Sequence, residues 1–250
     1  MQVNTTGAYN IGIGQLSLQA NTSGGNNTAI GHNTLYGNTT GGSNVAVGYQ
    51  AGLANTTFNS NIYIGYQTGY NANNVSNGVF IGYRAAYGSV GTSSASGYTV
   101  VGSQAGYSLS GGSGGMGITL IGDQAGYSTT SGYYLVAVGN NALYSNTTGT
   151  NNTAIGTAAL QSNTTASNNV AVGYQASYSN TTAIDNIAVG YQALYTNTTG
   201  TENASLGVQA LYTNNGSYNA AFGNYALKLN TTGSQSTAVG YAALYTNTTG

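Results

Sequence analysis

Side chains that could perform acid–base or metal chemistry are few in this 250-residue chain, and they are scattered. Apart from the tyrosines, the ionisable residues are His32, Arg84, Asp123, Asp185, Glu202 and Lys228. No two of them have the spacing of a carboxylate pair or of a nucleophile–base triad, so we expect no catalytic residue and no enzyme activity. Cysteine is absent and calcium-binding β-rolls need an aspartate in every turn, so we also expect no metal site and no cofactor.

One glycine pattern, Gly112-x-Gly114-x-x-Gly117, formally matches a phosphate-binding fingerprint. It lies in a Ser/Gly-rich stretch without the strand and helix that this fingerprint requires, so we interpret it as a chance match. His32 is interpreted in the same way, as a residue tolerated in a turn rather than a ligand or a catalyst.

The composition limits the class of partner. Net charge is −1 and only 2% of residues are charged, so the chain has no basic surface for nucleic acid. No stretch approaches the roughly 20 apolar residues of a membrane span, so we expect no membrane insertion. Disordered chains combine high charge with few aromatic residues, whereas this one has 23 tyrosines. An ordered β-rich chain is therefore favoured.

The residues are organised by a repeat. A glycine preceded by an aliphatic residue, once by phenylalanine, recurs about every 17 residues. These fourteen anchor glycines are Gly14, Gly31, Gly48, Gly65, Gly82, Gly102, Gly122, Gly139, Gly156, Gly173, Gly190, Gly207, Gly223 and Gly240. Since each short repeat can bury its apolar side only against the next, the period predicts a solenoid.

Strand alternation and turn residues define the expected coil. Asn44–Val47 is typical of the first strand and Tyr191–Tyr195 of a second, and N-T-T-G closes the turn. The aliphatic residue before the glycine is predicted to lie in the core, and the small residue three places after the glycine indicates a narrow interior. The repeated asparagines are expected to stack as an amide ladder.

The predicted fold class is therefore all-β, a parallel β-solenoid (β-roll) of about fourteen 17-residue coils with two short strands per coil. We expect one uncapped array over residues 1–250, because both ends of the sequence fall in mid-repeat. Residues 82–121 form two longer coils, each with three extra residues in the turn.

Tyrosine occupies the fifth place after the anchor glycine in ten of the fourteen copies, next to a residue that is usually leucine. One of the two neighbours can line the interior, so the other forms an exposed stripe. We interpret this stripe as a lateral interface or a stacking ladder, with solvated tyrosines as the alternative. Its candidate residues are Tyr144, Tyr178, Tyr195, Tyr212 and Tyr245.

The N-T-T segments also contain N-x-S/T triplets, so a glycan-coated rod is an alternative to asparagine and threonine serving as turn residues. The candidate glycosylation sites are Asn38, Asn55, Asn146, Asn163, Asn180, Asn197, Asn230 and Asn247.

The copies Asn152-Thr153-Ala154-Ile155-Gly156 and Asn44-Val45-Ala46-Val47-Gly48 resemble the N-S-x-A-I-G core of the head repeats of trimeric autotransporter adhesins. The longer segment Thr237–Gly250 is similar to repeats in bacteriophage tail-fibre shafts. The resemblance implies a parallel β-roll in which three chains associate. The 17-residue period is longer than is usual for the adhesin repeat.

These observations predict an extracellular structural fibre segment, on a cell surface or a virion: a tail-fibre or adhesin shaft, or a filament subunit. The expected partner is the chain itself, as a homotrimer or a filament, with a cell-surface receptor or glycan as a further partner. An ice-binding solenoid is one alternative, based on the regular threonines. A carbohydrate-binding rod with tyrosines as stacking platforms is another.

Overall fold

The computed structural model describes residues 3–90, 95–110 and 116–249, without the side chains of Ala95 and Met116. The chain forms two compact units, Met1–Tyr133 and Tyr134–Gly250. Each is built from short β-strands, and no helix occurs within these described ranges. The first unit contains β1 Ile11–Ile13, β2 Thr28–Ile30, β3 Val45–Val47, β4 Ile62–Ile64, β5 Val75–Ser76, β6 Val79–Ile81, β7 Ala95–Val101 and β8 Met116–Ile121. The second contains β9 Leu135–Val138, β10 Thr153–Ile155, β11 Val170–Val172, β12 Ile187–Val189, β13 Ala204–Leu206, β14 Ala220–Phe222 and β15 Thr237–Val239.

Strands of successive coils pair in parallel within each unit. The order is β1-β2-β3-β4-β6-β7-β8 in the first unit, where the short β5 pairs with β7, and β9 to β15 in chain order in the second. The register aligns equivalent residues of each repeat, so that Ala154 stands between Ala137 and Ala171. The predicted all-β parallel solenoid with a coil about every 17 residues is thereby confirmed.

Of the three strand residues that precede each anchor glycine, the middle one lies in the interior of the coil. Ala154 and Ala171 are fully buried, whereas the third strand residue, next to the anchor glycine, lies on the outside. Ile155 is 40% exposed and Val172 is half-buried. The prediction that the residue before the glycine lies in the core is therefore wrong. A three-residue strand directs only its middle side chain to one face, and that face is the inner one.

Each anchor glycine turns the chain away from the strand. From Gly14 to Gly240 their φ angles lie between 124° and 140°, a region that side chains of L-residues rarely adopt. A Cβ atom on Gly156 would also approach the carbonyl of Gly173 in the next coil to less than 3.0 Å. Glycine is required at this position for both reasons.

The second predicted strand, Tyr191–Tyr195, is a turn. Gln192 and Leu194 have φ of 52° and 54°, which is the left-handed region and is incompatible with a strand. This conformation costs roughly 1–2 kcal/mol per residue. Hydrogen bonds between coils offset the cost: Gln192 N donates to Tyr174 O (2.9 Å) and Leu194 N donates to Ala210 O (3.0 Å).

The left-handed residues place two consecutive side chains inside the coil. Ala193 and Leu194 are both fully buried, while Tyr195 lies outside. The predicted division between an inner leucine and an outer tyrosine is confirmed. The third residue after the anchor glycine is buried in the coils from Gly14 to Gly223, which agrees with the narrow interior inferred from its small size.

Two inner positions of a coil, the middle strand residue and the fourth residue after the glycine, share the core: where one carries a large side chain, the other carries a small one. Several coils combine alanine in the middle of the strand with leucine four places after the glycine, as in Ala188 and Leu194. In the coil of β4 the strand carries Tyr63 and the fourth place carries Gly69. A Cβ atom on Gly69 or on Gly52 would collide with the Tyr63 ring. The bulky Tyr63 is thus accommodated by glycine at the neighbouring inner positions, as close packing demands.

Asparagines of the N-T-T-G segments form a buried ladder, as predicted. Asn163 Nδ2 donates to Asn146 Oδ1 of the preceding coil (2.8 Å) and to Ala166 O (3.1 Å). Its Oδ1 accepts from Asn180 Nδ2 of the next coil (3.1 Å). Equivalent side-chain bonds join Asn21 to Asn4, Asn38 to Asn21 and Asn55 to Asn38.

A second ladder begins with the asparagine that precedes each strand. Asn169 N donates to Asn152 Oδ1 (2.9 Å), and Asn152 Nδ2 donates to Ala166 O (2.7 Å). Ala166 O thus accepts from both ladders, because Asn163 also donates to it. Since buried polar groups must be hydrogen-bonded, these ladders satisfy the amides of a polar coil interior.

The longer coils over residues 82–121 contain the longest strands, β7 and β8. At the start of β7, Ala95 pairs in parallel with Val75 of β5, which adds a short pairing beside the main strand ladder. The extra residues belong to the turn segments 88–94 and 110–115, of which 91–94 and 111–115 lie outside the described residues, as does most of the glycine pattern Gly112–Gly117. The division into one uncapped array with two longer coils stays a prediction.

Candidate functional site: tyrosine stacks, a glutamine ladder and an apolar strand face

In several successive coils the first residue after the anchor glycine is aromatic, and these residues build a column of stacked rings, here called the first stack. In the first unit His32, Tyr49, Tyr66 and Tyr83 follow one another with centroid distances of 5.2–5.5 Å and interplanar angles of 8–15°. In the second unit Tyr174 and Tyr191 stack at 5.4 Å. The His32 imidazole therefore takes the place of a tyrosine ring in this column.

The fifth residue after the glycine builds a second stack, and it contains the predicted tyrosines. Tyr178, Tyr195 and Tyr212 stack at 5.2 and 5.1 Å, so the stacking-ladder interpretation holds for these three. Burial is the main effect that raises the pKa of Tyr195, and the neighbouring Tyr212 and Tyr178 raise it further. Tyr144 and Tyr245 hold the same coil position and are half-buried. The first unit has an equivalent column, formed by Tyr70, Tyr87, Tyr107 and Tyr127.

The stacked rings cover one another's faces. Parallel rings about 5 Å apart present mainly their edges and hydroxyl groups to solvent, which leaves little room for a sugar to stack on them. A role as an interface between chains stays a prediction for Tyr144, Tyr178, Tyr195, Tyr212 and Tyr245.

Glutamine at the second place after the glycine forms a further ladder. Gln192 Nε2 donates to Gln175 Oε1 (2.8 Å), and Gln209 Nε2 donates to Gln192 Oε1 (2.9 Å). Gln67 donates to Gln50 in the same way (2.9 Å). This ladder was not predicted, although the frequent glutamine at one place in the repeat could have indicated it.

The two basic residues of the chain lie among these columns. Arg84 replaces a ladder glutamine, and its Nε donates to Gln67 Oε1 (2.9 Å). Its guanidinium carbon lies 5.3 Å from the ring centroids of both Tyr83, in the first stack, and Tyr87, in the second. The glutamine ladder therefore runs between the two stacks. Lys228 replaces a second-stack tyrosine and lies 5.8 Å from the Tyr212 ring.

Of the three strand residues that directly precede each anchor glycine, the first and the third form an outward surface, here called the outer strand face. The third residue is a large apolar side chain in every coil and is partly or fully exposed. In the first unit these residues are Ile13, Ile30, Val47, Ile64, Ile81, Val101 and Ile121. In the second they are Val138, Ile155, Val172, Val189, Leu206, Phe222 and Val239. The first residues are Ile, Val, Thr or Ala, so the face carries no charge.

The candidate glycosylation sites lie inside the coils. Asn38, Asn55, Asn146, Asn163, Asn180, Asn197 and Asn230 are fully buried, and Asn247 is half-buried. The side-chain nitrogen that a glycan would modify donates hydrogen bonds within the ladder, for example from Asn180 to Asn163 Oδ1 (3.1 Å) and to Ala183 O (3.0 Å). A glycan on such a nitrogen would have to displace these bonds. Glycosylation stays a prediction, and the folded coil disfavours it.

In the described part of the chain, the remaining ionisable residues form no cluster of three. Asp185 and Glu202 hold equivalent places in successive coils, whereas Asp123 lies directly after the anchor glycine Gly122. Among the described residues no group of three or more metal-ligating side chains is found. Within the same part of the chain, no helix is long and apolar enough to cross a membrane.

Comparison with known proteins adds no further constraint: no family model, no curated protein and no solved structure gives a significant match to this chain. The fold and the surfaces define a parallel β-solenoid whose coils present stacked tyrosines on one side and an apolar strand face on another. The resemblance to adhesin heads and tail-fibre shafts stays an expectation.

Proposed function

We propose that this chain is a structural fibre segment that acts outside the cell and assembles with copies of itself, as a tail-fibre or adhesin shaft or a filament subunit. The outer strand face carries this proposal. Its third-residue column is apolar in every coil, and Leu206 and Phe222 are 47% and 41% exposed. A long apolar stripe of this kind on a soluble surface is typical of an interface.

A second copy of the chain is the partner that suits this face best. The face has no charged side chain, so it offers no electrostatic selectivity for a charged partner. Its columns repeat at the strand spacing of about 4.8 Å, and the same columns on another copy have the same spacing. Two such faces can interdigitate over many coils, as the inner faces of packed sheets do.

We propose the strands, rather than the tyrosines, as the interface between copies. Tyr195 already stacks on Tyr178 and Tyr212 within its own chain, so much of its ring is covered. On the outer strand face Ile155 and Leu206 are 40% and 47% exposed, whereas these three tyrosines are half-buried. We therefore expect lateral packing through the strands to bury more exposed apolar surface than packing through the second stack.

The ice-binding alternative loses its main support. The first threonines of the N-T-T segments donate their hydroxyls to backbone carbonyls of the next coil, as Thr147 does to Thr164 O (3.0 Å) and Thr164 to Thr181 O (3.1 Å). Hydroxyls committed in this way are not free to order water on a surface.

Sedimentation velocity of the purified chain at micromolar concentration tests the proposal. We expect trimers or larger species for the native sequence. Val172→Lys adds a charge to the outer strand face and is expected to shift the population to monomers. Tyr195→Lys, the matched control on the tyrosine side, is expected to assemble like the native chain.

The outcomes separate the two surfaces. A monomeric native chain would overturn the proposed assembly. If Tyr195→Lys dissociates the assemblies and Val172→Lys does not, the tyrosine stack is the interface and the assignment to the strands is wrong.

A further inference from the structure

The regular pattern of tyrosine and glutamine is interrupted near the end of the second unit. In the coil of Gly223 the second place carries Tyr225 instead of glutamine, and the fifth place carries Lys228 instead of tyrosine. In the following coil the second place carries Ala242. Three replacements therefore fall together on the side where the two stacks and the glutamine ladder run.

A cleft of about 330 Å³ lies beside these replacements and is lined by Gln209, Tyr225, Lys228, Tyr241, Ala242 and Tyr245. The short Ala242 side chain leaves the space that a ladder glutamine fills elsewhere. Tyr225 and Tyr241 meet edge to face, with an interplanar angle of 87° and a centroid distance of 5.6 Å. These two rings are therefore not stacked face to face as the rings of the regular columns are.

The cleft also contains unused polar groups. The glutamine ladder ends at Gln209, whose Nε2 donates to Gln192 while the next coil offers Tyr225 instead of a glutamine donor. Lys228 Nζ lies 5.1 Å from the Tyr225 ring centroid and 5.7 Å from that of Tyr245. Within the described residues, no carboxylate lies within ion-pair distance of this ammonium group. The cation is thus held by aromatic rings and keeps its hydrogen-bond donors for a ligand.

Tyrosine rings outside the regular face-to-face stacks, an amide and a single ammonium group form a set that fits one class of ligand. Aromatic faces pack against the C–H faces of sugar rings, the amide can hydrogen-bond to hydroxyl groups, and the ammonium group can pair with a carboxylate. We propose that this cleft binds an acidic saccharide, a sugar ring that carries a carboxylate. The inference concerns a different surface from the outer strand face and does not depend on self-assembly.

Isothermal titration calorimetry of the full chain with trigalacturonate tests the inference. We expect saturable binding, and binding at least tenfold weaker for the methyl-esterified trisaccharide, which keeps the sugar rings but lacks the negative charges. Lys228→Tyr, which restores the usual residue of the repeat, is expected to weaken binding of trigalacturonate at least tenfold. Lys228→Gln, which keeps a long polar side chain, is expected to have the same effect.

Arg84→Gln is the matched control, because it removes the other basic residue, also restores the usual residue of the repeat, and leaves the cleft intact. Its affinity should equal that of the native chain, and the melting temperatures of all variants verify folding. The inference is overturned if trigalacturonate shows no saturable binding, if its methyl ester binds equally well, or if Arg84→Gln and Lys228→Tyr lose affinity to the same extent.

Discussion

The buried asparagine ladder can be tested by a single change that keeps the shape of the side chain. In Asn163→Asp the Nδ2 donors to Asn146 Oδ1 and Ala166 O are lost, and a carboxylate replaces a fully buried amide. Two lost hydrogen bonds cost about 1–3 kcal/mol, and leaving a charge buried without a partner brings the total to about 3–5 kcal/mol. We expect a loss of this size in the free energy of unfolding at pH 7.

The same variant makes a pH prediction with a definite sign. Burial and the facing oxygens disfavour the ionised carboxyl, so its pKa in the folded chain is raised above the ordinary value of about 3.9. A raised pKa means that the stability is retained below pH 4 and is lost as pH rises through the folded pKa. The difference between Asn163→Asp and the native chain should therefore be smallest in acid and largest at neutral pH.

Chemical denaturation followed by far-UV circular dichroism at pH 4 and pH 7 provides the measurement. The control is Asn151→Asp, which changes an exposed asparagine whose Nδ2 donates only to Thr150 Oγ1 and Asn168 Oδ1 (3.4 and 3.2 Å). It is expected to cost less than about 1 kcal/mol at either pH. Equal stability of the two variants at pH 7 would refute the buried ladder.

Three further predictions concern the coil interior. Ala171→Asp should destabilise the monomer by several kcal/mol because Ala171 is fully buried, whereas Val172→Asp should cost less than about 1 kcal/mol. Thermal melting in dilute solution compares the two variants. A larger loss for Val172→Asp would show that Val172, and not Ala171, lies inside the coil. Tyr63→Phe should raise the free energy of unfolding by about 1–3 kcal/mol, because the buried hydroxyl has no hydrogen-bond partner. Burial raises the pKa of the Tyr63 hydroxyl, so the native chain loses stability as pH rises above ~10. Tyr63→Phe should therefore unfold at a higher alkaline pH than the native chain. Unchanged alkaline unfolding would contradict this. Tyr63→Ala should cost about 3–5 kcal/mol and Gly69→Leu about 1–3 kcal/mol in the free energy of unfolding. The double variant should be more stable than Tyr63→Ala alone, which urea denaturation measures. Additive losses would refute the exchange of volume between the two positions.

The repeat was sufficient to predict the solenoid, because equivalent residues such as Ala137, Ala154 and Ala171 must align when each coil stacks on the next. The apolar character of Val172 predicts a core position, but the residue lies outside because only the middle side chain of a three-residue strand faces the interior. The small residue beside it, Ala171, already indicated the narrow inner face.

The left-handed turn residues could not be predicted from local propensity. Gln192 and Leu194 are neither glycine nor asparagine, and hydrogen bonds to other coils hold their conformation. Such bonds are visible only when the coils are stacked. The cleft at Lys228 depends on the same kind of information, since it arises from replacements in two successive coils.

The proposed assembly through the outer strand face is tested most directly by a unique thiol. The sequence contains no cysteine, so Val172→Cys places a single reactive group on that face, and Thr182→Cys places one at an exposed turn position between two strands of the same unit. Maleimide labelling rates are measured for each variant in assembled and in diluted, monomeric samples. We predict that Val172→Cys reacts at least tenfold more slowly when assembled, while Thr182→Cys reacts at the same rate in both samples. Equal rates for Val172→Cys in the two samples would contradict the proposal.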